Sequence, residues 1–253
     1  MKKLNIIIFV LIFCVLTAFG LFLSNKFSNK KSSKTVTPLS NTNVVQSSNS
    51  SNNNFNAYDG SISADPISTK LDVPFIVQSP LGVWDALHED SCEEATLLMY
   101  NYFRNNLQSS TPENYDAEIK ELDSYEANNG YDPSITLEQL AALAQTRFDN
   151  LTSPRIESDI TVQQIKNELI KGNPVIIPAY GKALNNPNFK NGGPNYHMLL
   201  IIGYNSDGFI TNDPGTKNGK DYLYPFDTII NGDHNWNSQN MLDGKKEYLV
   251  FDK

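Results

Sequence analysis

The apolar pattern along the chain divides it into three stretches. Residues 4–23, LNIIIFVLIFCVLTAFGLFL, are almost unbroken apolar sequence behind Lys2 and Lys3. Such a run matches the ~20 residues that cross a bilayer core as a helix. It exceeds the ~7–15 apolar residues usual in a secretory signal. An uncleaved signal-anchor over 1–23 is therefore expected, with a cleaved signal peptide as the alternative. Cys14 follows Phe13 inside the run and reads as membrane filler. Residues 24–65 are rich in Ser, Asn, Thr and Lys, offer little to bury, and read as a flexible tether.

Residues 66–253 carry the periodicities of one folded domain. LDVPFIVQ (71–78) reads as an extended segment. A helix is expected from Cys92 to about Asn106, with Ala95, Leu98, Met99 and Tyr102 at helical spacing. Two more helices are expected over 136–145 and 161–172. Each opens on a threonine with glutamine three residues later, and Gly172 stops the second. Strands follow at 174–180, 196–204, 208–213 and 247–252, and the NSDG turn at 205–208 makes the middle pair a hairpin. Helices first and an antiparallel sheet later give an α+β fold class.

Charge narrows the function classes. The six Lys and two acidic residues of 1–65 leave 66–253 with 14 basic and 26 acidic residues, net −12. A surface so acidic argues against nucleic acid as a partner. Basic residues flank both sides of the apolar run, so loop charge does not fix its orientation. A short basic N-terminus before a single span is the usual export geometry, which places the folded domain outside the cell membrane, or secreted if the span is removed. Cys92 is the only cysteine of 66–253, which excludes an intrachain disulfide and a cysteine-based metal cluster there. No cofactor or metal is expected.

The chemistry centres on Cys92 in WDALHEDSCEEA (84–95). Ser91 as N-cap and Glu94 as its capping-box partner place Cys92 in a first helical turn, where free backbone amides favour a thiolate. The neighbouring carboxylates work against it, so a cationic partner is required. His197 starts an apolar strand, and Asp213 lies sixteen residues later at the end of the next one. A hairpin brings the two together, so that the carboxylate holds one imidazole nitrogen and leaves the other for a thiol. Gln78, fourteen residues before Cys92, is a candidate oxyanion donor. His234, in NGDHNW, is a rival base whose polar turn suggests a surface position, and His88 has a weaker case.

Gln78, Cys92 opening a helix, His197 and Asp213-Pro214, in this order, resemble papain-like cysteine peptidases. The closest resemblance is to the bacteriocin-processing, double-glycine-type peptidases and their stand-alone bacterial relatives. VPFIVQSP…W…CEEA looks like the N-terminal signature of the stand-alone branch, and the resemblance spans about 72–251. It implies a papain-like fold, with a helical lobe carrying the cysteine packed on a sheet carrying the histidine and aspartate. It also implies hydrolysis of peptide or protein substrates through an acyl-enzyme. By it Cys92 is the nucleophile, His197 the base and then the acid, Asp213 the orienting group and Gln78 the oxyanion donor. Glu93 stands where many members have glycine, and a side chain there is expected to narrow the cleft or to alter which peptide enters. The same triad also suits a cell-wall peptide amidase or transpeptidase, and an inert surface binding module remains if the carboxylates silence the sulfur.

Overall fold

A computed structural model describes residues 65–253. The expected span at 1–23 and nearly all of the tether at 24–65 lie outside the described residues. No helix among the described residues is long and apolar enough to cross a membrane.

A seven-stranded antiparallel sheet forms the centre of the domain. Its strands are β1 (Thr69–Lys70), β2 (Pro154–Ser158), β3 (Val175–Ala179), β4 (His197–Tyr204), β5 (Phe209–Asn212), β6 (Tyr222–Tyr224) and β7 (Glu247–Phe251). They run in the order β2-β7-β3-β4-β5-β6, with β1 also paired to β4. The helices are α1 (Ala86–Glu89), α2 (Cys92–Arg104), α3 (Pro112–Asn128), α4 (Leu137–Arg147), α5 (Val162–Ile170) and α6 (Phe226–Gly232). The fold is α+β, as the succession of patterns implies.

β4 is buried along its whole length because both sheet faces are covered. Successive strand side chains point to opposite faces. Met198, Leu200 and Ile202 accordingly join Leu97, Met99, Ile119 and Leu140 in a core under α2, α3 and α4. Leu199 and Ile201 join Ile165, Leu169 and Ile229 in a second core under α5 and α6. The helix carrying Cys92 therefore packs directly on the strand carrying His197, and Thr96 of α2 donates to the Met198 carbonyl at 3.3 Å.

Local signals act largely as their chemistry dictates. Thr136 and Gln139 form both halves of a capping box. The Thr161 hydroxyl accepts from the Gln164 N–H, and Gly172 ends that helical segment at φ +86°. Asn205 closes the hairpin turn by accepting from the backbone of Asp207 and Gly208. The segment 71–78 is extended and meets the sheet through its preceding residues, through the Leu71 N–H, which donates to Ile202, and through the Val73 carbonyl, which accepts from Asn212 Nδ2 at 3.1 Å.

One cap differs from expectation. The Ser91 side chain makes no cap bond to α2 and instead donates to the Leu87 carbonyl at 2.8 Å. The reason is α1, which ends just before it and supplies a nearer acceptor. Asp85 is the residue that caps, accepting from the His88 N–H at 3.0 Å. Glu94, expected to complete the Ser91 box, is buried with Oε2 unpartnered.

Candidate active site

A groove of about 670 Å³ runs between the α2 side of the domain and the loops at the head of β4. Gln78, Cys92 and His197 all line it, together with Trp84, Phe189 and Gly215. Lys190 reaches over the Trp84 ring at 5.8 Å, so the two walls touch at one point. Gly193 and Pro194, from the loop before β4, also line it.

Cys92 is the first residue of α2 and His197 the first of β4. The His197 Nε2 meets Asp213 Oδ1 at 2.7 Å, which leaves Nδ1 as the ring nitrogen for another partner. Asp213 follows β5 directly and is completely buried. Four donors converge on it. His197 Nε2 and the Gly215 N–H, at 3.0 Å, share Oδ1. The Tyr224 hydroxyl, at 2.6 Å, and Asn186 Nδ2, at 3.3 Å, share Oδ2. Burial opposes ionisation of this carboxyl. The His197 charge and hydrogen bond, then Tyr224 and Gly215, outweigh burial and hold it below the usual range. A carboxylate so engaged fixes the imidazole tautomer and ring plane. Phe189 holds the other side of the imidazole, edge to face at 5.2 Å. Gly215 lies so close that a Cβ there would sit 2.8 Å from His197 Cε1.

The sulfur has a different environment. Cys92 is 4 % exposed, and its Sγ donates to Glu93 Oε2 at 2.8 Å. Burial pushes the thiol well above its ordinary value. The Glu93 charge and hydrogen bond, then the Glu94 charge, push the same way, while the Met198 N–H opposes them. Glu93 does not line the groove. Its side chain turns behind the cysteine, where Oε1 accepts from the Ile135 N–H at 3.3 Å. The expected narrowing of the cleft by this side chain is thus replaced by direct contact with the sulfur.

The Gln78 side chain differs from the role expected of it. Its Nε2 donates to the carbonyls of His88, at 2.8 Å, and Glu89, at 3.1 Å, so both amide hydrogens are engaged. Exchanging the amide atoms would set an oxygen against two carbonyl oxygens, so the acceptors fix this orientation. Gln78 Oε1 is buried and unpartnered. In this geometry Gln78 anchors α1 beside the groove and offers no free N–H to it.

His88 is buried between two carboxylates, with Nδ1 at 2.6 Å from Asp85 and Nε2 at 2.9 Å from Asp116. His234 is half-buried, outside the groove, with Nδ1 at 3.2 Å from the Gly244 carbonyl. Trp236 packs on Tyr196. No periodicity or motif in the sequence marks Tyr224, Asn186 or Phe189. No group of three or more potential ligands that could hold a metal ion occurs among the described residues.

The model of the Peptidase_C39-like family matches residues 70–242, more than half of the chain and all four groups just described. The chain belongs to the Peptidase_C39-like family. Among solved structures, this C39-like chain is similar to a crystal structure described as that of a C39-like peptidase from Bacillus anthracis. The two share 17 % identity, with a TM-score of 0.48, over 74 % of this chain and 98 % of that one. None of the curated proteins matches the chain.

Proposed function

We propose that this C39-like protein is a cysteine-type peptidase that cleaves peptide bonds through a thioester acyl-enzyme. The observation that carries the reading is the pairing of His197 with the fully buried Asp213 at a groove that Cys92 also lines. The Cys92 thiolate attacks the scissile carbonyl, and the new C–S bond forms as the carbonyl π pair moves to oxygen. His197 gives a proton to the leaving amine as the C–N bond breaks. A water, deprotonated by His197, then adds to the thioester, and as the C–S bond breaks the Cys92 thiolate leaves beside the imidazolium, which restores the starting state. Asp213 stabilises the imidazolium that forms in each half. At the first position of α2 the Cys92 N–H has no intrahelical partner, so it is the backbone donor available to the oxyanion. Gln78 serves as second donor only by leaving the His88 and Glu89 carbonyls. No metal or cofactor takes part in this scheme. The N-terminal apolar run is proposed to anchor the peptidase in the cell membrane, or to direct its secretion, with the groove on the outer side.

The test is to offer the protein and its Cys92→Ala variant a mixed peptide library and purified cell-wall fragments, following cleavage by mass spectrometry. Peptide hydrolysis by the wild type alone supports the reading. Turnover of cell-wall fragments only makes the protein an amidase, and no turnover of either by the wild type reduces it to a binding module.

A further inference from the structure

Among the described residues Glu93 is the one carboxyl in direct contact with the sulfur, and it has no part in the acyl-transfer steps. We propose that Glu93 is a further catalytic residue, its carboxyl sharing one proton with the Cys92 thiol and thereby setting how much of the sulfur is nucleophilic thiolate. This rests on the reading of Cys92 as the nucleophile.

The contact is built rather than incidental. Cys92 and Glu93 are 4 % and 1 % exposed, so water does not compete for the proton between them. The Ile135 N–H fixes Glu93 Oε1, leaving Oε2 facing the sulfur at 2.8 Å. The carbonyl of the same residue, Ile135, accepts from the Tyr196 hydroxyl at 2.8 Å, and Tyr196 immediately precedes His197. One loop thus ties the carboxyl beside the nucleophile to the strand that carries the imidazole.

Two arrangements of the pair hold the same number of protons. In one a neutral thiol donates to a carboxylate. In the other a carboxylic acid donates to a thiolate. Because both carry the same net charge, burial discriminates weakly between them, and transfer of the proton across one hydrogen bond yields the nucleophile. Removing the last proton places two negative charges in contact and is strongly disfavoured. The surroundings bias the pair toward keeping its proton. Glu94 lies next on α2, Glu126 and Asp123 face the cluster from α3, and the Tyr196 hydroxyl approaches from the head of β4. His197 supplies the opposing positive influence. Burial raises the Glu93 pKa to about 7, against the pull of the Cys92 thiol, the Ile135 N–H and His197.

The experiment is alkylation of Cys92 by iodoacetamide across a pH series in the full protein. It is read on the proteolytic fragment containing Cys92 so that Cys14 does not contribute. In the wild type the rate is expected to rise in two steps. The lower step belongs to the pair losing its first proton and the upper to its second. In Glu93→Gln the Ile135 contact is kept, and the amide donates to sulfur without a charge. One step is then expected, lying about one pH unit or more below the upper wild-type step, a tenfold change in thiolate at fixed pH. A wild-type profile with a single step overturns the proposal, as does a two-step profile unchanged by Glu93→Gln. Should Glu93→Gln not fold, His197→Gln takes its place. Two steps must survive loss of the imidazole, and a single step overturns the proposal. Labelling no faster than free cysteine at any pH sinks the catalytic reading together with this one.

Discussion

Glu126 of α3 is 4 % exposed, and its Oε1 has no partner. Burial, reinforced by the charges of Glu93 and Asp123, raises its carboxyl to about 9. An unfolded glutamate titrates near ~4.3. Between those values the folded chain keeps a proton that the unfolded chain has released. Stability therefore falls as pH rises, at up to about 1.4 kcal/mol per pH unit for this one group. Over the three units from about pH 5 to about pH 8 the loss is about 4 kcal/mol, a large share of an ordinary folding free energy. Glu126→Gln keeps the shape and removes the titration. Its amide needs partners of its own, but that cost is independent of pH, so the slope is the diagnostic quantity. Urea unfolding followed by the fluorescence of Trp84 and Trp236 at several pH values measures it. The variant is expected to lose stability less steeply toward alkaline pH, with the wild type falling away from it by several kcal/mol. Parallel stability curves would refute the account of a buried, protonated carboxyl cluster beneath the nucleophile.

Tyr224→Phe removes the 2.6 Å bond to Asp213 Oδ2 and is expected to lower stability by about 1.5–3 kcal/mol, checked by thermal melting. Asp213 is held below the usual carboxylate range, so its contribution is present above the ordinary value and lost as pH falls through the folded one. Tyr224→Phe therefore moves the acid limb of kcat/KM to higher pH. Gly215→Ala forces a Cβ to within 2.8 Å of His197 Cε1 and is expected to cut kcat/KM at least about tenfold, with far-ultraviolet circular dichroism unchanged. His88→Gln leaves at least one of the two carboxylates without its imidazole partner and loosens the carbonyls that hold Gln78. It is expected to lower thermal stability by about 1–3 kcal/mol and to reduce kcat more than it raises KM.

The parts of the site readable in sequence are those that depend on order and periodicity. Cys92 opens a helix because an apolar stripe starts there, and His197 and Asp213 meet because NSDG closes a hairpin between them. The parts that were not readable depend on side-chain direction or on weak patterns. α3 has a charge at nearly every other position, so its buried Tyr115, Ile119 and Leu122 form a thin stripe. The Thr111 cap and Pro112 at the first helical position were the available signals. β2, PRIES, is a half-exposed edge strand with two charges. β6 has only three residues, too few to show a period, so nothing in the sequence marks Tyr224 as a donor to Asp213. Ser91 looked like a cap because a one-turn helix before it is too short to show a period. Glu93 looked like a cleft residue, whereas its side chain turns inward to the sulfur and Ile135.

Acid quench during turnover of a cleaved peptide, followed by mass spectrometry of the proteolytic fragments, tests the central claim most directly. The account predicts an acyl mass added to the fragment containing Cys92, together with no turnover by Cys92→Ala. An adduct on another residue, or hydrolysis by Cys92→Ala at the wild-type rate, contradicts it.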